Sequence, residues 1–285
     1  MSESIQALLT TASLQLAAVS DSAQLDAEVL LGFCLQKNRS YLRAWPDKQP
    51  DAQQCQQYRQ LLSKRLQGWP VAYLTEQREF WSREFKVSPD VLIPRPDSEL
   101  LIELSLARLA AKQASNVLDL GTGSGILAIT IAAERPLCSV TGTDFSNKAL
   151  NIATENAARL NVNNVSFILS DWFTDLPARQ FELIISNPPY IAADDPHLQQ
   201  GDVRFEPKSA LVSAENGLQD IRCIAEQARS FLKHQGVLLI EHGYNQLTDV
   251  QDIFKALNYT EITTHHDLSG QPRVTSGIWN AYEHQ

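Results

Sequence analysis

A nearly continuous apolar run, Phe181 to Ser186, ends in Asn187-Pro188-Pro189-Tyr190. Two prolines in a row fix φ and remove two backbone donors, so nearby carbonyls are free to accept hydrogen bonds from a ligand. The Asn187 side chain adds another carbonyl acceptor, and Tyr190 adds a flat aromatic face. Such a set suits a planar NH₂ group held by two acceptors and stacked on a ring. Taken alone, the tetrapeptide could equally be a proline-rich turn that closes a strand.

A second constellation lies upstream. Three of the 12 glycines, Gly121, Gly123 and Gly125, fall within VLDLGTGSG. Glycine permits a tight turn after a strand and lets a ligand lie directly on the backbone. The spacing is GxGxG, whereas the dinucleotide fingerprint GxGxxG needs a glycine where this chain has Ile126, which weakens a dehydrogenase reading. Asp144 closes the following strand and is placed to accept hydrogen bonds from both hydroxyls of a ribose. NAD and S-adenosylmethionine both carry that ribose, so the pair of motifs leaves both open. Asp119, just before the loop, either braces it or accepts from a cofactor amino group.

The elements that must carry these residues follow from the pattern of the chain. From Asn116 onward strands and helices alternate. Strands are expected at Val117–Leu120, Ser139–Asp144, Val165–Ser170, Phe181–Ser186 and Val237–Glu241. Helices are expected at Ile126–Glu134, Lys148–Leu160, Leu218–His234 and Leu247–Leu257. Alternation of this kind builds a mostly parallel sheet with helices on both faces. Two late β-rich runs, Tyr259–Thr264 and Arg273–Trp279, have no helix between them and predict an antiparallel edge pair. The tetrapeptide then follows the fourth strand, at the carboxyl edge of the sheet beside the glycine loop. Upstream the chain reads as helical: apolar residues through Ile5–Leu16, a dense apolar face over Asp26–Leu35, and a helix capped by Asp51 and ended by Gly68. Val71–Val87 is rich in β-type residues and predicts a hairpin. Pro89, Pro94 and Pro96 delay the next helix to Ser98–Lys112, capped by Asp97.

Composition bounds what such a scaffold can do. A length of 285 residues suggests about two domains. There are 24 Lys and Arg against 33 Asp and Glu, a net charge of −9, which argues against an electrostatic grip on bulk nucleic acid. Through residue 87 the chain is near neutral, with 10 basic and 9 acidic side chains; the whole excess lies beyond it. Asp194, Asp195, Asp202 and Glu206 follow the tetrapeptide with only Arg204 among them. An acidic rim there repels phosphate and favours a basic protein partner. No apolar run reaches the roughly 20 residues of a membrane span, and no secretion signal opens the chain. Cys34, Cys55, Cys138 and Cys223 are scattered, as in a cytoplasmic protein with reduced thiols.

The set GTGSG, Asp144 and NPPY resembles the S-adenosylmethionine-dependent methyltransferases that modify planar exocyclic or amide nitrogen. More narrowly, VLIPRPDSE (Val91 to Glu99), SDWF (Ser170 to Phe173), ISNPPYI (Ile185 to Ile191) and DLSGQPRV (Asp267 to Val274) are similar to the bacterial release factor glutamine methyltransferases, the PrmC/HemK family. The resemblance extends over essentially the whole chain. NPPY is shared by several nitrogen methyltransferases, while PRPDSE ahead of the core and the helical N-terminus are more specific. The chain departs from the family at Glu76 and Ser98, where glycine and threonine are frequent.

The resemblance implies a Rossmann-like class I methyltransferase core, a mostly parallel seven-stranded sheet with an antiparallel edge pair, preceded by a small helical bundle. In domains it implies a release-factor-recognition module over 1–70, a hairpin linker over 71–90 and a catalytic domain over 91–285. The implied reaction moves a methyl group from S-adenosylmethionine to the side-chain amide nitrogen of the glutamine in the Gly-Gly-Gln motif of class 1 release factors. Gly121, Thr122, Gly123, Ser124 and Gly125 would line the methionine part of the cofactor. Asp144 would hold the ribose, Trp172 would contact the adenine, and Asn187 would lie between cofactor and substrate. Asn187, Pro188, Pro189 and Tyr190 would grip the glutamine amide, with Asn187, Pro188 and Tyr190 catalytic. The expected protein is a cytoplasmic monomer that binds neither nucleic acid nor membrane. The competing readings are an N-methyltransferase of adenine or cytosine in DNA or RNA, and a non-catalytic binding protein on the same scaffold.

Other clusters carry less. His265 and His266 are adjacent, so in a strand they face opposite ways, and a metal site there is not expected. Arg95 either steers the substrate or braces the segment between Pro94 and Pro96. Glu99 reads as a first-turn acid.

Overall fold

The computed structural model describes residues 3–281; the first two and last four residues of the expected 1–70 and 91–285 domains lie outside the described residues. The chain divides into two compact units. One comprises the residues up to Gln77 together with His197–Phe205, and the other comprises Arg78–Pro196 and the residues from Glu206 onward.

The first unit is helical: α1 (Ile5–Leu16), α2 (Ala23–Leu35), α3 (Arg39–Ala44), α4 (Ala52–Leu66) and α5 (Val71–Thr75). Its core holds Ile5, Leu8, Leu16, Leu30, Leu31 and Tyr58. Asp51 caps α4 as expected, in a reciprocal box with Gln54. The helix α3 escaped the sequence reading because its six residues are too few to show a period; its signal is the Asn38 side chain, which accepts from the Tyr41 N–H. Val71–Thr75, read as hairpin, is instead a helical turn, in which burial of Tyr73, Leu74 and Thr75 outweighs the β preference of Val71, Tyr73 and Thr75. Glu76 ends it at φ 56°, in the left-handed region where glycine costs nothing, which accounts for the position that differs from the family. Arg65 is buried and hydrogen-bonds Asp26 at 2.7 Å, the Trp69 carbonyl at 3.1 Å and Asp202 at 3.4 Å. Trp69 packs on Phe205 with ring centroids 5.1 Å apart. The His197–Phe205 segment is thereby fastened to the helices.

The second unit is built on the hairpin β1 (Gln77–Phe80) and β2 (Arg83–Lys86), then α6 (Glu99–Arg108), β3 (Asn116–Leu120), α7 (Ile126–Glu134), β4 (Ser139–Asp144), α8 (Asn147–Arg159), β5 (Val165–Leu169) and β6 (Phe181–Ser186). The short α9 (Ala214–Gly217), α10 (Gln219–Phe231), β7 (Leu232–Glu241), α11 (Leu247–Ala256), β8 (Thr260–His266) and β9 (Pro272–Trp279) complete it. The seven strands run in the order β5-β4-β3-β6-β7-β9-β8. The first five are parallel, and β9 is antiparallel to both β7 and β8.

Alternate residues of each central strand feed two cores. Val117, Leu183 and Ile185 pack with Leu101, Leu127 and Ile131 on one face. Leu118, Ile184 and Leu238 pack with Ile221, Ile224 and Phe254 on the other. Burial on both faces explains why these strands read as unbroken apolar runs. The chain leaves β3 toward β4 on one side and returns to place β6 on the other. The carboxyl ends of β3 and β6 therefore form the switch point where such sheets open a crevice. Among the described residues no helix is long and apolar enough to cross a membrane.

Candidate active site

A cavity of about 410 Å³ opens at that switch point. Its wall includes Gly121, Thr122, Gly123, Ser124, Asp144, Phe145, Trp172, Asn187 and Pro189, together with Arg95 and Ser98. Gly125, Pro188 and Tyr190, expected at the site, do not line it. Gly125 serves packing: it stands at φ 82°, and a Cβ there would lie 2.8 Å from Ile129 and 3.0 Å from Ala153. Gly121 serves the cavity, since at φ 69° a Cβ would project to 3.4 Å from the Trp172 ring. Trp172 is itself in a left-handed turn, which Ser170 stabilises by donating to the Trp172 carbonyl at 3.0 Å and accepting from the Asp175 N–H at 3.0 Å.

Asp144 turns both oxygens to useful work. Oδ2 accepts from the Gly123 N–H and Oδ1 from the Ser146 N–H, each at 2.9 Å. The carboxylate is thus aimed by the glycine loop on one side and the start of α8 on the other. Each oxygen keeps a lone pair for a further donor. Burial pushes its pKa up while the two backbone donors oppose that. Phe145, the next residue, is 59% exposed and lines the same wall. Sequence reasoning passed over it, although an aromatic directly after a strand-ending carboxylate is a readable signal for a stacking surface. A diol acceptor, two aromatic rings and a glycine turn fit an adenosine-containing cofactor.

Asp119 braces the loop and is absent from the cavity wall. Its Oδ2 accepts from the Thr122 hydroxyl at 2.6 Å and the Ala128 N–H at 3.1 Å. Oδ1 has no hydrogen-bond partner among the described residues. Burial raises this carboxyl to about 7. A pKa raised in the folded state means stability that is complete below about 4 and lost as pH rises through about 7. Asp119→Asn keeps one oxygen for both bonds and removes the buried charge, at a smaller cost from its NH₂ group, which stands where Oδ1 has no partner among the described residues. It is expected to stabilise the protein by about 2 kcal/mol at pH 8, with the difference shrinking toward pH 4, as read by denaturant melts. A loss of stability at pH 8 contradicts the raised pKa of the buried carboxyl.

Asn187 lies at the centre of a network spanning four segments. Its Nδ2 donates to Ser98 Oγ at 3.0 Å, and Ser98 donates to Glu241 Oε2 at 2.7 Å. Tyr190 donates its hydroxyl to Glu241 Oε1 at 3.4 Å, while its carbonyl accepts from Gln246 Nε2 at 3.0 Å. Tyr190 is therefore committed at both ends, and its hydroxyl points to Glu241 rather than into the cavity. Burial pushes Glu241 to about 7 and Tyr190 well above the usual phenol range. Ser98, Glu241 and Gln246 were missed in sequence; a serine and two acid-or-amide residues far apart in the chain carry no local signal.

Three smaller readings change. Asp97 does not cap α6; it pairs with Arg273 at 3.2 Å, and a 3₁₀ turn over Pro96–Ser98 starts that helix instead. Arg95 pairs with Glu206 at 2.6 Å, so it braces as well as lining the wall. Because Glu206 and Asp202 are both ion-paired, the acidic rim is narrower than the charge count implied. His265 hydrogen-bonds Ser276 Oγ at 3.1 Å.

Comparison with known proteins places this geometry. Residues 7–75 match the PrmC N-terminal domain, and residues 111–280 match a methyltransferase domain. The chain is 50% identical over 279 residues to the release factor glutamine methyltransferase of Vibrio cholerae serotype O1, covering 97% of each chain. It is 48% identical over 258 residues to the enzyme of that name from Salmonella typhimurium, covering 90% of this chain and 93% of the relative. Among solved structures, the hMettl16 catalytic domain in complex with the MAT2A 3'UTR hairpin 6 superposes with a TM-score of 0.57 at 14% identity, over 78% of this chain and 82% of that one. At that identity the likeness carries the class I methyltransferase fold alone. The near-complete overlap with the bacterial relatives carries more: the chain belongs to the release factor glutamine methyltransferase family.

Proposed function

We infer that this protein methylates the side-chain amide nitrogen of the glutamine in the Gly-Gly-Gln motif of class 1 release factors, with S-adenosylmethionine as donor. The observation that carries the reading is Asn187 on the cavity wall with its Nδ2 committed to Ser98 Oγ, which leaves Oδ1 as the acceptor with no donor among the described residues. An amide nitrogen is a weak nucleophile because its lone pair is delocalised. When bound, the cofactor supplies a sulfonium-activated methyl group, which meets most of the chemical difficulty.

The remaining work falls to the chain. Asp144 holds the ribose hydroxyls, and the Gly121–Ser124 turn leaves room for the methionine part. Phe145 and Trp172 offer faces for the adenine. Asn187 Oδ1 accepts one substrate N–H, which turns the nitrogen lone pair toward the methyl group and favours the charge that builds there, while Pro188, off the cavity wall, stiffens the backbone that carries Asn187. No strong base is needed before attack, because the proton leaves the nitrogen afterwards. Pro189 lines the wall beside the amide, and Tyr190 acts from behind as a brace.

Residues 1–70 read as the release-factor-recognition module, with 71–90 as linker and 91–285 as catalytic domain. The exposed Leu14, Val19 and Trp45 offer that module apolar docking area. On this reading the protein is a cytoplasmic monomer that touches neither nucleic acid nor membrane. Incubation with methyl-labelled cofactor is expected to label the release factor at its glutamine and to leave DNA and RNA unlabelled. Label in nucleic acid at a comparable rate overturns the assignment.

A further inference from the structure

The hydrogen-bond chain behind the tetrapeptide has a direction. Glu241 closes β7, is 1% exposed, and as a carboxylate can only accept. Ser98 Oγ, also 1% exposed, therefore spends its single proton on Glu241 Oε2. With that proton committed, Ser98 faces Asn187 as an acceptor and must meet Nδ2. The amide of Asn187 can then stand only one way round, with Nδ2 on Ser98 and Oδ1 left for another donor. Ser98 precedes α6 in the position where a serine ordinarily caps the helix, yet its side chain makes no cap bond. Its hydroxyl is diverted to the relay. The other oxygen of Glu241 takes the Tyr190 hydroxyl, so one buried carboxylate holds both ends of the tetrapeptide.

We propose that Glu241 is a positioning residue for methyl transfer: acting through the Ser98 hydroxyl, its carboxylate fixes the polarity of the Asn187 amide so that Oδ1, rather than Nδ2, meets the substrate N–H. This rests on the role given to Asn187 above. A reversed amide would present N–H to N–H, a repulsive contact in place of the acceptor the reaction requires.

The relay also senses protons. Glu241 is surrounded by Arg273 from β9, by Asp97 from the 3₁₀ turn and by the Tyr190 hydroxyl, while His242, just past the end of β7, turns away to the Gly243 carbonyl and Thr275. Burial outweighs the Arg273 charge and raises the carboxyl to about 7. Once protonated, Glu241 becomes a donor to Ser98. Ser98 can then donate to Asn187 Oδ1, and the amide turns over. Transfer at saturating cofactor is thus expected to fall as pH drops through about 7.

The test measures single-turnover methyl transfer to a release factor at saturating cofactor, from about pH 6 to 9, with cofactor affinity and thermal melts as controls. Ser98→Ala is expected to fold, to bind cofactor within about threefold, to slow transfer roughly 10- to 100-fold, and to lose the acid limb. Ser98→Thr, which keeps the hydroxyl, is expected to recover most of that rate and the limb with it. Glu241→Gln removes the limb, and its effect shrinks on the Ser98→Ala background, as coupled residues require. A Ser98→Ala enzyme within twofold of wild type, or one that keeps the acid limb, overturns the proposal even if Glu241→Gln fails to fold. Asn187→Ala separates the two levels: an active Asn187→Ala defeats the underlying reading, whereas an inactive Asn187→Ala beside a fully active Ser98→Ala defeats only the relay.

Discussion

Asn187→Ala is expected to slow methyl transfer by about 10²- to 10³-fold, the range found when one preorganised polar group facing the developing charge is removed, while cofactor affinity stays within about threefold. The asparagine is not a base and holds no proton for the reaction. In the proposed mechanism it supplies one carbonyl oxygen at a fixed place, and its loss would leave a substrate N–H unpaired and the nitrogen free to turn away from the methyl group. The fold should survive, because the Asn187 side chain is only half-buried and its one hydrogen bond among the described residues is to Ser98. The measurement is single-turnover transfer to the release factor beside calorimetric titration with cofactor. Unchanged transfer in a folded variant removes Asn187 from the mechanism. Asn187→Asp is a sharper version of the same test: it keeps the shape but offers Ser98 a second acceptor where the relay needs a donor.

Asp144→Ala is expected to weaken cofactor binding by about 10²-fold. Two ribose hydroxyls donating to a carboxylate contribute roughly 1.5–3 kcal/mol each as charge-assisted bonds, part of which water recovers in the variant. The substitution also frees the Gly123 and Ser146 N–H groups that Asp144 aims, so loop order is lost along with the ribose contacts. A cofactor analogue lacking one ribose hydroxyl distinguishes these effects, since it should lose affinity for the wild type and little for the variant. Because burial raises the Asp144 pKa, wild-type affinity should fall on acidification through that pKa, and the variant should show no such fall. If calorimetry finds wild-type affinity in the variant, the ribose assignment is wrong.

Much of the fold was legible because it rests on local patterns. The helix at Ile126–Glu134 and the strands at Ser139–Asp144 and Phe181–Ser186 stand where periodicity put them. Each is bounded by a glycine, a proline or a capping residue that acts over a few positions. Local reading failed where tertiary burial outweighed propensity. Val71–Thr75 has β-type residues yet forms a helical turn, and Asp97 has the form of a helix cap yet spends its charge on Arg273, far along the chain. That the glycine loop, Asp144 and Asn187 gather at one crevice could be read in advance, because turn geometry and side-chain chemistry belong to single residues and short motifs.

The sequence by itself therefore determined the order of elements, the crevice at the carboxyl ends of β3 and β6, and which candidate residues gather there. What only the tertiary structure decided is how those groups are aimed. Tyr190 turns its hydroxyl to Glu241, and Asn187 is joined through Ser98 to Glu241, by two links that span 89 and 143 residues of chain. The reason is the range of the forces. Backbone preferences and amphipathic periods act between neighbours in the chain and so leave a pattern in it. A hydrogen bond acts over about 3 Å between whatever residues the fold brings together, and its direction depends on which partner has a proton left to give.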